Sequence, residues 1–341
     1  ILFIEFRNKK YLILNDLEIE RGKSEAKVDS VLPLSSISRK IKSNSIEQVI
    51  LHLLKEFKIK TIEVPYNFPS YIYKKLTKSK IKVMPSKSPI FFNSRIVKNQ
   101  TEIKSISKVM RHTEKVMRLI IEKIKYSKSK NKILRTDGRI LTSELLRNIC
   151  QKELSSYGLE CPDCIISSGR HSSLPHHQGT GPIKECQSII IDIFPKDTSS
   201  GYFGDMTRTV VKGTPSKKLN DMYKAVLKGQ RLGLSLIKSG VKSKTVHNSI
   251  KSLFDNSGFY TTYKEGTPEG FIHSTGHGLG LDIHEPPRIS SGDDILKKNY
   301  VVTVEPGLYY SRIGGVRVED TVLVTTDGCK NLTRFPKNLN L

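Results

Sequence analysis

Cysteine is scarce in this sequence, which has 341 residues and an odd set of five thiols. A sparse, odd set of cysteines in a long chain is typical of reduced thiols and predicts a cytoplasmic setting. Cys161 and Cys164 have the C-x-x-C spacing, but a structural zinc site would need a second close pair, which the sequence lacks. The following residues, Ile165–Gly169, are typical of a strand and a turn rather than of the helix that follows a redox pair. We therefore expect no function for this pair.

Long apolar runs are also missing. No stretch approaches the roughly 18 consecutive apolar residues that indicate a membrane-spanning helix, so no membrane partner is expected. Glu5 and Arg7 interrupt the apolar residues at the start of the chain, which argues against a signal peptide. Because the first residue is Ile1 rather than Met, the sequence leaves open whether a targeting segment lies upstream.

Acidic residues are too few to balance the basic ones, and the formal net charge is +24. Residues 1–150 have 33 Lys and Arg against 14 Asp and Glu, a surplus of 19, whereas residues 151–341 have 24 against 19, a surplus of 5. Such a surplus can bind nucleic acid or acidic surfaces. However, the lysines are spread along amphipathic segments without interleaved aromatic residues, and no zinc-finger, RNP or basic-zipper pattern is present. We expect a solvated lysine-rich surface and no nucleic-acid partner.

The chain divides into two predicted domains. In the first part, short apolar runs typical of strands alternate with helical patterns, and Ser45–Phe57 has apolar residues at helical spacing on one face. Asn99 and Glu102 have the spacing of a helix capping box, which indicates that a new element begins there. We therefore expect a small α/β domain at residues 1–96 and a second domain at residues 97–341.

The second domain alternates predicted helices and strands. Ser188–Phe194 predicts a buried strand, and Tyr202–Val211 predicts the strand that returns beside it as a hairpin. A helix is expected from Ser216 to Lys238. Tyr126–Gly138 is basic and polar, and we expect it to be an exposed loop.

Four acidic residues lie within apolar strand patterns of this domain: Asp192, Asp205, Glu305 and Glu319. A buried carboxylate without a partner is costly, so each needs a cation or several hydrogen-bond donors. His277 adds an imidazole on a segment whose glycines allow a close approach of the backbone. Four carboxylates and one imidazole suit two divalent ions that share an activated water. We expect manganese, with cobalt, iron or zinc as alternatives.

Two other motifs are excluded. His284 and Glu285 begin the segment HEPPR rather than H-E-x-x-H, so the helix of a zinc metalloprotease is absent. The glycines around His277 read GHGLG and are followed by Leu281, which does not fit the G-x-G-x-x-G pattern of a dinucleotide site.

These residues resemble the signature of the pita-bread metallopeptidases, the family of methionine aminopeptidase, prolidase and aminopeptidase P. The similarity covers roughly residues 96–335 and implies an α+β fold, with a pita-bread catalytic domain preceded by a smaller α/β domain. The spacing of thirteen positions between the first two acids is slightly longer than the family pattern, and a longer hairpin turn would absorb it. The matching segments contain the five candidate ligands in the family's order: IIIDIF (Asp192), GDMTRT (Asp205), STGHGLG (His277), TVEPG (Glu305) and GVRVED (Glu319).

The resemblance implies a role for each candidate ligand. Asp192 would bind one metal ion and His277 the other, while Asp205 and Glu319 would bridge the two. Glu305 would be both a metal ligand and the catalytic residue that takes the proton from the nucleophilic water.

The resemblance also implies a set of substrate-binding residues. His176 matches the histidine near the scissile bond, and His273 and His284 match catalytic histidines that contact the substrate and stabilise the tetrahedral intermediate. Arg317 would complete this set by bracing a ligand carboxylate. The remaining histidines of this region are expected to lie outside the site, at the surface or turned away from it: His171, His177 and His247.

The predicted N-terminal domain narrows the choice within the family. Residues 1–96 resemble the creatinase-type N-terminal domain, and the complete ligand set argues against creatinase itself, which works without metal. The resemblance therefore implies a metal-dependent peptidase, most similar to prolidase or aminopeptidase P, that cleaves peptides with proline at the second position and forms homodimers. A methionine aminopeptidase-like enzyme and a non-catalytic binding protein with a basic surface are the alternatives. The sequence does not separate a dipeptidase from an aminopeptidase.

Overall fold

The computed structural model describes residues 1–264 and 266–341. The contacts divide the chain into two compact units, Ile1–Phe91 and Phe92–Leu341, whereas the sequence placed the division at residue 96. Within the described residues, every helix is either too short or too polar to span a membrane.

The first unit contains helices and two small sheets. Its elements in chain order are β1 (Leu2–Phe6), β2 (Lys9–Leu14), α1 (Ile19–Glu25), β3 (Ser30–Pro33), α2 (Leu34–Ile41), α3 (Ile46–Glu56), β4 (Thr61–Val64), α4 (Ser70–Lys78) and β5 (Lys82–Pro85). Strand β2 pairs antiparallel with β1 and parallel with β3, and β4 pairs parallel with β5. Helix α3 buries Val49, Ile50, Leu53 and Leu54, the apolar face that the sequence indicated.

The second unit begins its regular structure with α5. Its helices are α5 (Gln100–Lys125), α6 (Ser143–Ser156), α7 (Lys217–Leu236) and α8 (Ser243–Asn256). Its first strands are β6 (Lys128–Lys130), β7 (Ile133–Thr136), β8 (Arg139–Ile140), β9 (Leu159–Glu160), β10 (Ile165–Ser168), β11 (Ile189–Ile193), β12 (Lys196–Asp197) and β13 (Met206–Val210). The later strands are β14 (Thr262–Lys264), β15 (Thr267–Glu269), β16 (Gly276–Gly278), β17 (Glu285–Ile289), β18 (Val301–Val304), β19 (Gly307–Tyr310), β20 (Gly314–Arg317), β21 (Asp320–Val324) and β22 (Cys329–Asn331).

Two antiparallel sheets form the centre of this unit. One has the order β10-β11-β13, and the other has the order β17-β16-β18-β21-β22. Helices α5 and α6 pack with the first sheet in one hydrophobic core, and α7 and α8 pack with the second sheet in another. The capping box at Asn99 and Glu102 begins α5, as the sequence predicted. The strands that contain the candidate ligands are thus buried between helices.

The predicted hairpin is present, with β11 and β13 antiparallel and Ile193 opposite Met206. Strand β13 begins later than Tyr202, where the sequence placed its start, so Asp205 lies immediately before the strand. The connection between the two strands contains β12, which pairs with β9 instead of continuing the hairpin. This detour accounts for the long spacing between Asp192 and Asp205.

The expectation of an exposed loop at Tyr126–Gly138 is wrong, because β6, β7 and β8 form a small antiparallel sheet there. The two connections are tight two-residue turns whose central residues all have positive φ angles, from 50° to 75°. This conformation is typical of type I′ hairpin turns, for which Asp137-Gly138 is a favoured pair. Leu134 in β7 is fully buried and anchors the sheet to the core.

Candidate metal centre and active site

All nine residues that the sequence indicated line one cavity of the second unit: Asp192, Asp205, His277, Glu305, Glu319, His176, His273, His284 and Arg317. The acids come from β11, from the residue just before β13 and from the segments that follow β18 and β20. The histidines come from β16, from the loops beside it and from the loop after β10. The hydrophobic cores therefore bring together residues that are far apart in the sequence.

His277 faces two of the carboxylates. Its Nε2 atom lies 3.6 Å from Oδ2 of Asp205 and 3.4 Å from Oε1 of Glu305, while its Nδ1 atom lies 3.0 Å from the carbonyl oxygen of Gly278. A nitrogen next to a carbonyl oxygen must carry the proton, so Nδ1 donates and Nε2 has the lone pair. Burial lowers the pKa of His277 to about 3, which keeps the ring neutral. A lone pair aimed at carboxylate oxygens is repulsive unless a metal ion or a proton lies between them.

The carboxylates repel one another. Burial, together with the charge of Glu319, raises the pKa of Asp205 well above its usual range. Burial and the charge of Glu305 do the same for Glu319, and burial raises the pKa of Glu305 to about 7. Oδ1 of Asp192 is buried and has no hydrogen-bond partner among the described residues. These carboxylates lack the positive charge that their ionised forms need.

This arrangement fits divalent metal ions. One ligand atom from each of Asp205, His277 and Glu319 lies within 4.8 Å of the others, and all three residues are buried. The unpartnered oxygen of Asp192 and the carboxylate of Glu305 line the same cavity. A set rich in carboxylate oxygens with one imidazole nitrogen matches the preference of Mn²⁺ and similar ions.

Arg317 holds the carboxylate of one candidate ligand, Asp192, in place. Its side chain is buried and donates hydrogen bonds to Oδ2 of Asp192 at 2.6 Å, to the hydroxyl of Tyr309 at 2.7 Å and to Oγ1 of Thr207 at 3.2 Å. These bonds fix Asp192 through Oδ2 and leave Oδ1 free for another partner. The resemblance implied that Arg317 would brace a ligand carboxylate without indicating which one, and the structure places Arg317 against Asp192.

Two threonines that the sequence analysis missed also orient ligands. Oγ1 of Thr207 donates to Oε2 of Glu319 at 2.7 Å, and Oγ1 of Thr303 accepts from the backbone N–H of His277 at 3.1 Å. Thr303 is also hydrogen bonded to Glu305, at 3.4 Å. Thr207 lies two positions after Asp205, and Thr303 lies two positions before Glu305. Because side chains two positions apart in a strand point to the same face, this spacing could have indicated that both threonines lie beside the ligands.

His176, His273 and His284 differ in the hydrogen bonds that they make. In His273, Nδ1 lies 2.7 Å from the carbonyl oxygen of Ser274 and Nε2 lies 3.0 Å from the hydroxyl of Tyr309, so both ring nitrogens are occupied. Within the described part of the chain, neither His176 nor His284 has a hydrogen-bond partner for its ring nitrogens, and both line the cavity. These two histidines are therefore available to a substrate.

The loop that contains His284 is fixed by its neighbour Glu285. The carboxylate of Glu285 is buried, accepts from the backbone N–H of Leu281 at 3.0 Å and pairs with Lys98 at 2.9 Å and with Arg95. Glu285 thus has a structural role, and it holds the adjacent histidine at the cavity wall.

The expectation that His247 lies outside the site is wrong. His247 lines the cavity, with Nδ1 at 3.0 Å from Oγ1 of Thr275 and its ring against Phe271 at 4.9 Å. In helix α8 it is adjacent to Val246 and three positions before Ile250, both fully buried. This spacing places His247 on the buried face of the helix, a signal that was present in the sequence.

His177 does not line the cavity, although its neighbour His176 does. Its ring stacks on that of His171 at 4.2 Å, and its Nδ1 accepts a hydrogen bond from the backbone N–H of Gly179 at 2.9 Å. The preference for His176 over His177 as a site residue agrees with this placement.

The glycines around His277 allow two backbone segments to approach it. A Cβ atom at Gly276 would overlap the carbonyl oxygen of Thr303, and one at Gly278 would overlap that of Pro286.

We predict that Gly278→Ala lowers the free energy of unfolding by about 1–3 kcal/mol, because the backbone must move to admit the methyl group. Urea denaturation measures this change.

The matched control is Gly292→Ala, because the nearest atom to its added Cβ is Oγ of Ser290 at 3.6 Å, an ordinary contact. This control should change stability by less than about 0.5 kcal/mol. Equal stabilities for the two alanine variants would show that the close approach at Gly278 is not required.

Comparisons with known proteins also indicate a metallopeptidase. The profile of metallopeptidase family M24 matches residues 104–326. The Xaa-Pro dipeptidase of Pyrococcus furiosus is 32% identical over 330 residues, which cover 96% of this chain and 85% of that protein. The structure of an Xaa-Pro dipeptidase from Bacillus anthracis matches with a TM-score of 0.84 and 26% identity over 99% of this chain and 88% of that chain. An X-Pro aminopeptidase from Thermotoga maritima matches with a TM-score of 0.80 and 25% identity over 98% and 88%.

Proposed function

Because the chain belongs to metallopeptidase family M24, we propose that it is a metal-dependent exopeptidase that hydrolyses the bond before a proline at the second position of a short peptide. The observation that carries this proposal is the cavity in which four carboxylates and His277 face one another, beside two histidines whose ring nitrogens have no hydrogen-bond partner in the described part of the chain. The names of similar proteins, Xaa-Pro dipeptidase and X-Pro aminopeptidase, support the substrate class.

Asp192, Asp205, His277, Glu305 and Glu319 would hold two divalent ions, and the oxygen-rich donor set favours manganese. When bound, the ions would supply an activated water at neutral pH and would polarise the scissile carbonyl. The protein orients these ligands before the substrate arrives, through Arg317 and the two threonines that contact Glu319 and His277.

The remaining chemistry belongs to residues of the cavity. Glu305 accepts the proton of the attacking water and passes it to the proline nitrogen as the peptide bond breaks. His176 and His284, whose ring nitrogens have no hydrogen-bond partner within residues 1–264 and 266–341, donate hydrogen bonds to the substrate and to the developing oxyanion. His273 supports them indirectly, because it holds the hydroxyl of Tyr309 against Arg317.

Arg288 favours a dipeptide as the preferred substrate. It is exposed, lines the cavity next to His284 and makes no ion pair with an acid in the described residues. An Xaa-Pro dipeptide ends in a carboxylate directly after the proline, and a guanidinium can bind that group with two hydrogen bonds. A longer peptide places its carboxylate farther from the scissile bond.

We predict that Arg288→Met raises KM for an Xaa-Pro dipeptide by about 10- to 150-fold, which corresponds to the loss of a charged hydrogen bond. KM for an Xaa-Pro-Yaa tripeptide should change much less. Steady-state kinetics on both substrates with the manganese-loaded protein measure the two effects. A wild-type protein that cleaves only the tripeptide, or an equal rise in both KM values, would argue for an aminopeptidase instead.

The proposal also includes manganese as the resident metal, a homodimer and a cytoplasmic location. The free cysteines support the location, because disulfides are rare in the cytoplasm. Metal analysis of the purified protein and light scattering in solution test the other two points.

A further inference from the structure

A second cleft lies in the catalytic unit and shares no lining residue with the active site. The end of α5 and the sheet β6-β7-β8 form it, and Lys123, Lys128, Lys130 and Arg135 line it. Folding brings more cations to the surrounding surface, since Lys184 bridges to β7 and Lys212 donates to the carbonyl oxygen of Lys125. We call this the basic cleft, and its nine cations are Lys123, Lys125, Lys128, Lys130, Lys132, Arg135, Arg139, Lys184 and Lys212.

The cations of the basic cleft lack acidic partners. Among the described residues, none of the nine forms a salt bridge, and they lie close together around one cleft. Three acids lie nearby in the chain: Glu122 and Asp137, which line the cleft, and Glu185. Such a concentration of unpaired positive charge attracts polyanions and is unfavourable without them.

Arg135 gives a second indication of a ligand. Its Nε atom is buried without a hydrogen-bond partner among the described residues, while its terminal nitrogen donates to the carbonyl oxygen of Gly138 at 3.2 Å. A buried donor without an acceptor is unfavourable. Arg135 lines the cleft, so a phosphate group there would bring a matching charge next to its guanidinium.

An aromatic side chain stands among these cations. Tyr126 lines the cleft and is 76% exposed, and the ammonium group of Lys125 lies 6.0 Å from the centre of its ring. Proteins bind single-stranded nucleic acids by combining exposed aromatic rings, on which bases stack, with nearby cations, which contact the phosphates.

Although the lysine pattern of the sequence led us to expect no nucleic-acid partner, we propose that the basic cleft binds single-stranded RNA, with phosphates on its lysines and Arg135 and a base on Tyr126. The alternative is that lysines on an edge strand merely prevent strands of other molecules from pairing with it. That explanation covers Lys128 and Lys130 in β6, but not Arg135 in the central strand or Lys184 outside the sheet. Five of the nine cations lie within residues 123–132, and Lys184 and Lys212 join them through the backbone bridge to β7 and the hydrogen bond to Lys125.

The test is fluorescence anisotropy of a labelled single-stranded oligouridine with the full-length, metal-loaded protein. Binding should weaken as salt is raised, with a slope of log K against log salt of about −0.7 for each phosphate contacted. The triple variant Lys125→Gln, Lys128→Gln and Lys130→Gln, whose residues are all exposed, should weaken binding at least tenfold and reduce the slope. Tyr126→Ala should weaken binding about fivefold or more without changing the slope.

The matched control removes the same charge from the other unit, as Lys74→Gln, Lys78→Gln and Lys82→Gln, and should leave RNA binding unchanged. All variants should keep wild-type peptidase activity, because the two clefts are separate. The proposal is overturned if the wild-type protein shows no binding at 0.15 M salt, or if both triple variants weaken binding equally. Binding to phosphatidylserine vesicles but not to RNA would assign the surface to a membrane and would also overturn it.

Discussion

Glu305→Gln is expected to lower kcat for an Xaa-Pro dipeptide by about 10²–10⁴-fold, the usual contribution of a general acid–base group. Glutamine has nearly the same shape and keeps an oxygen that can bind metal, but it cannot take a proton from the attacking water. It also cannot return that proton to the proline nitrogen. KM should change little, because the residue acts on the reacting atoms rather than on substrate binding.

The measurement compares kcat of wild type and variant at equal metal content, determined for each sample by metal analysis. Glu160→Gln is the matched control, since Glu160 is exposed in β9 and does not line the cavity. It should retain wild-type kcat. A Glu305→Gln variant that binds metal and remains within tenfold of wild type would contradict the role given to Glu305.

Arg317→Met is expected to lower the free energy of unfolding of the metal-free protein by about 3–5 kcal/mol, because it removes one partner of a buried ion pair. Asp192 would lose the 2.6 Å hydrogen bond to its Oδ2 atom, while its Oδ1 atom has no hydrogen-bond partner among the described residues. The hydroxyl of Tyr309 would lose its bond to the same guanidinium. The cluster of repelling carboxylates would also lose the positive charge closest to Asp192.

Urea denaturation in the presence of a chelator measures this loss. Arg288→Met makes the same chemical change in the same cavity, but at an exposed side chain without an ion pair in the described residues. That control should change stability by no more than about 0.5 kcal/mol. If the two arginine variants unfold at the same urea concentration, Arg317 is not the buried electrostatic support described above.

The family and the fold class could be predicted from the sequence, and the comparisons confirm both. The short motifs around the candidate ligands allowed this prediction. A carboxylate buried within a run of isoleucines, such as Asp192, costs folding free energy unless it binds a partner. The prediction of a metallo-exopeptidase of the Xaa-Pro type is confirmed in the same way. The boundary at residue 96, the metal identity and the role of each site residue stay predictions.

Other features depend on tertiary contacts and were missed or misjudged. The sheet β6-β7-β8 has a polar sequence, and its position is fixed by tight turns and by one buried leucine, Leu134. His247 was taken for a surface residue although its helical spacing placed it among buried neighbours. The unpaired state of Arg135 and Arg288 cannot be read from sequence, because it depends on which acids the fold brings near them.

The most direct test of the central claim is hydrolysis of an Xaa-Pro dipeptide by the chelated protein before and after Mn²⁺ is restored, with Asp205→Asn as the comparison. The account predicts no activity without metal, recovery of wild-type activity with Mn²⁺, and no recovery for Asp205→Asn. An Xaa-Pro-Yaa tripeptide and a Met-Ala peptide measured in parallel identify the substrate class. Failure of the metal-loaded wild-type protein to cleave any Xaa-Pro peptide, or full activity in the chelated state, would contradict it.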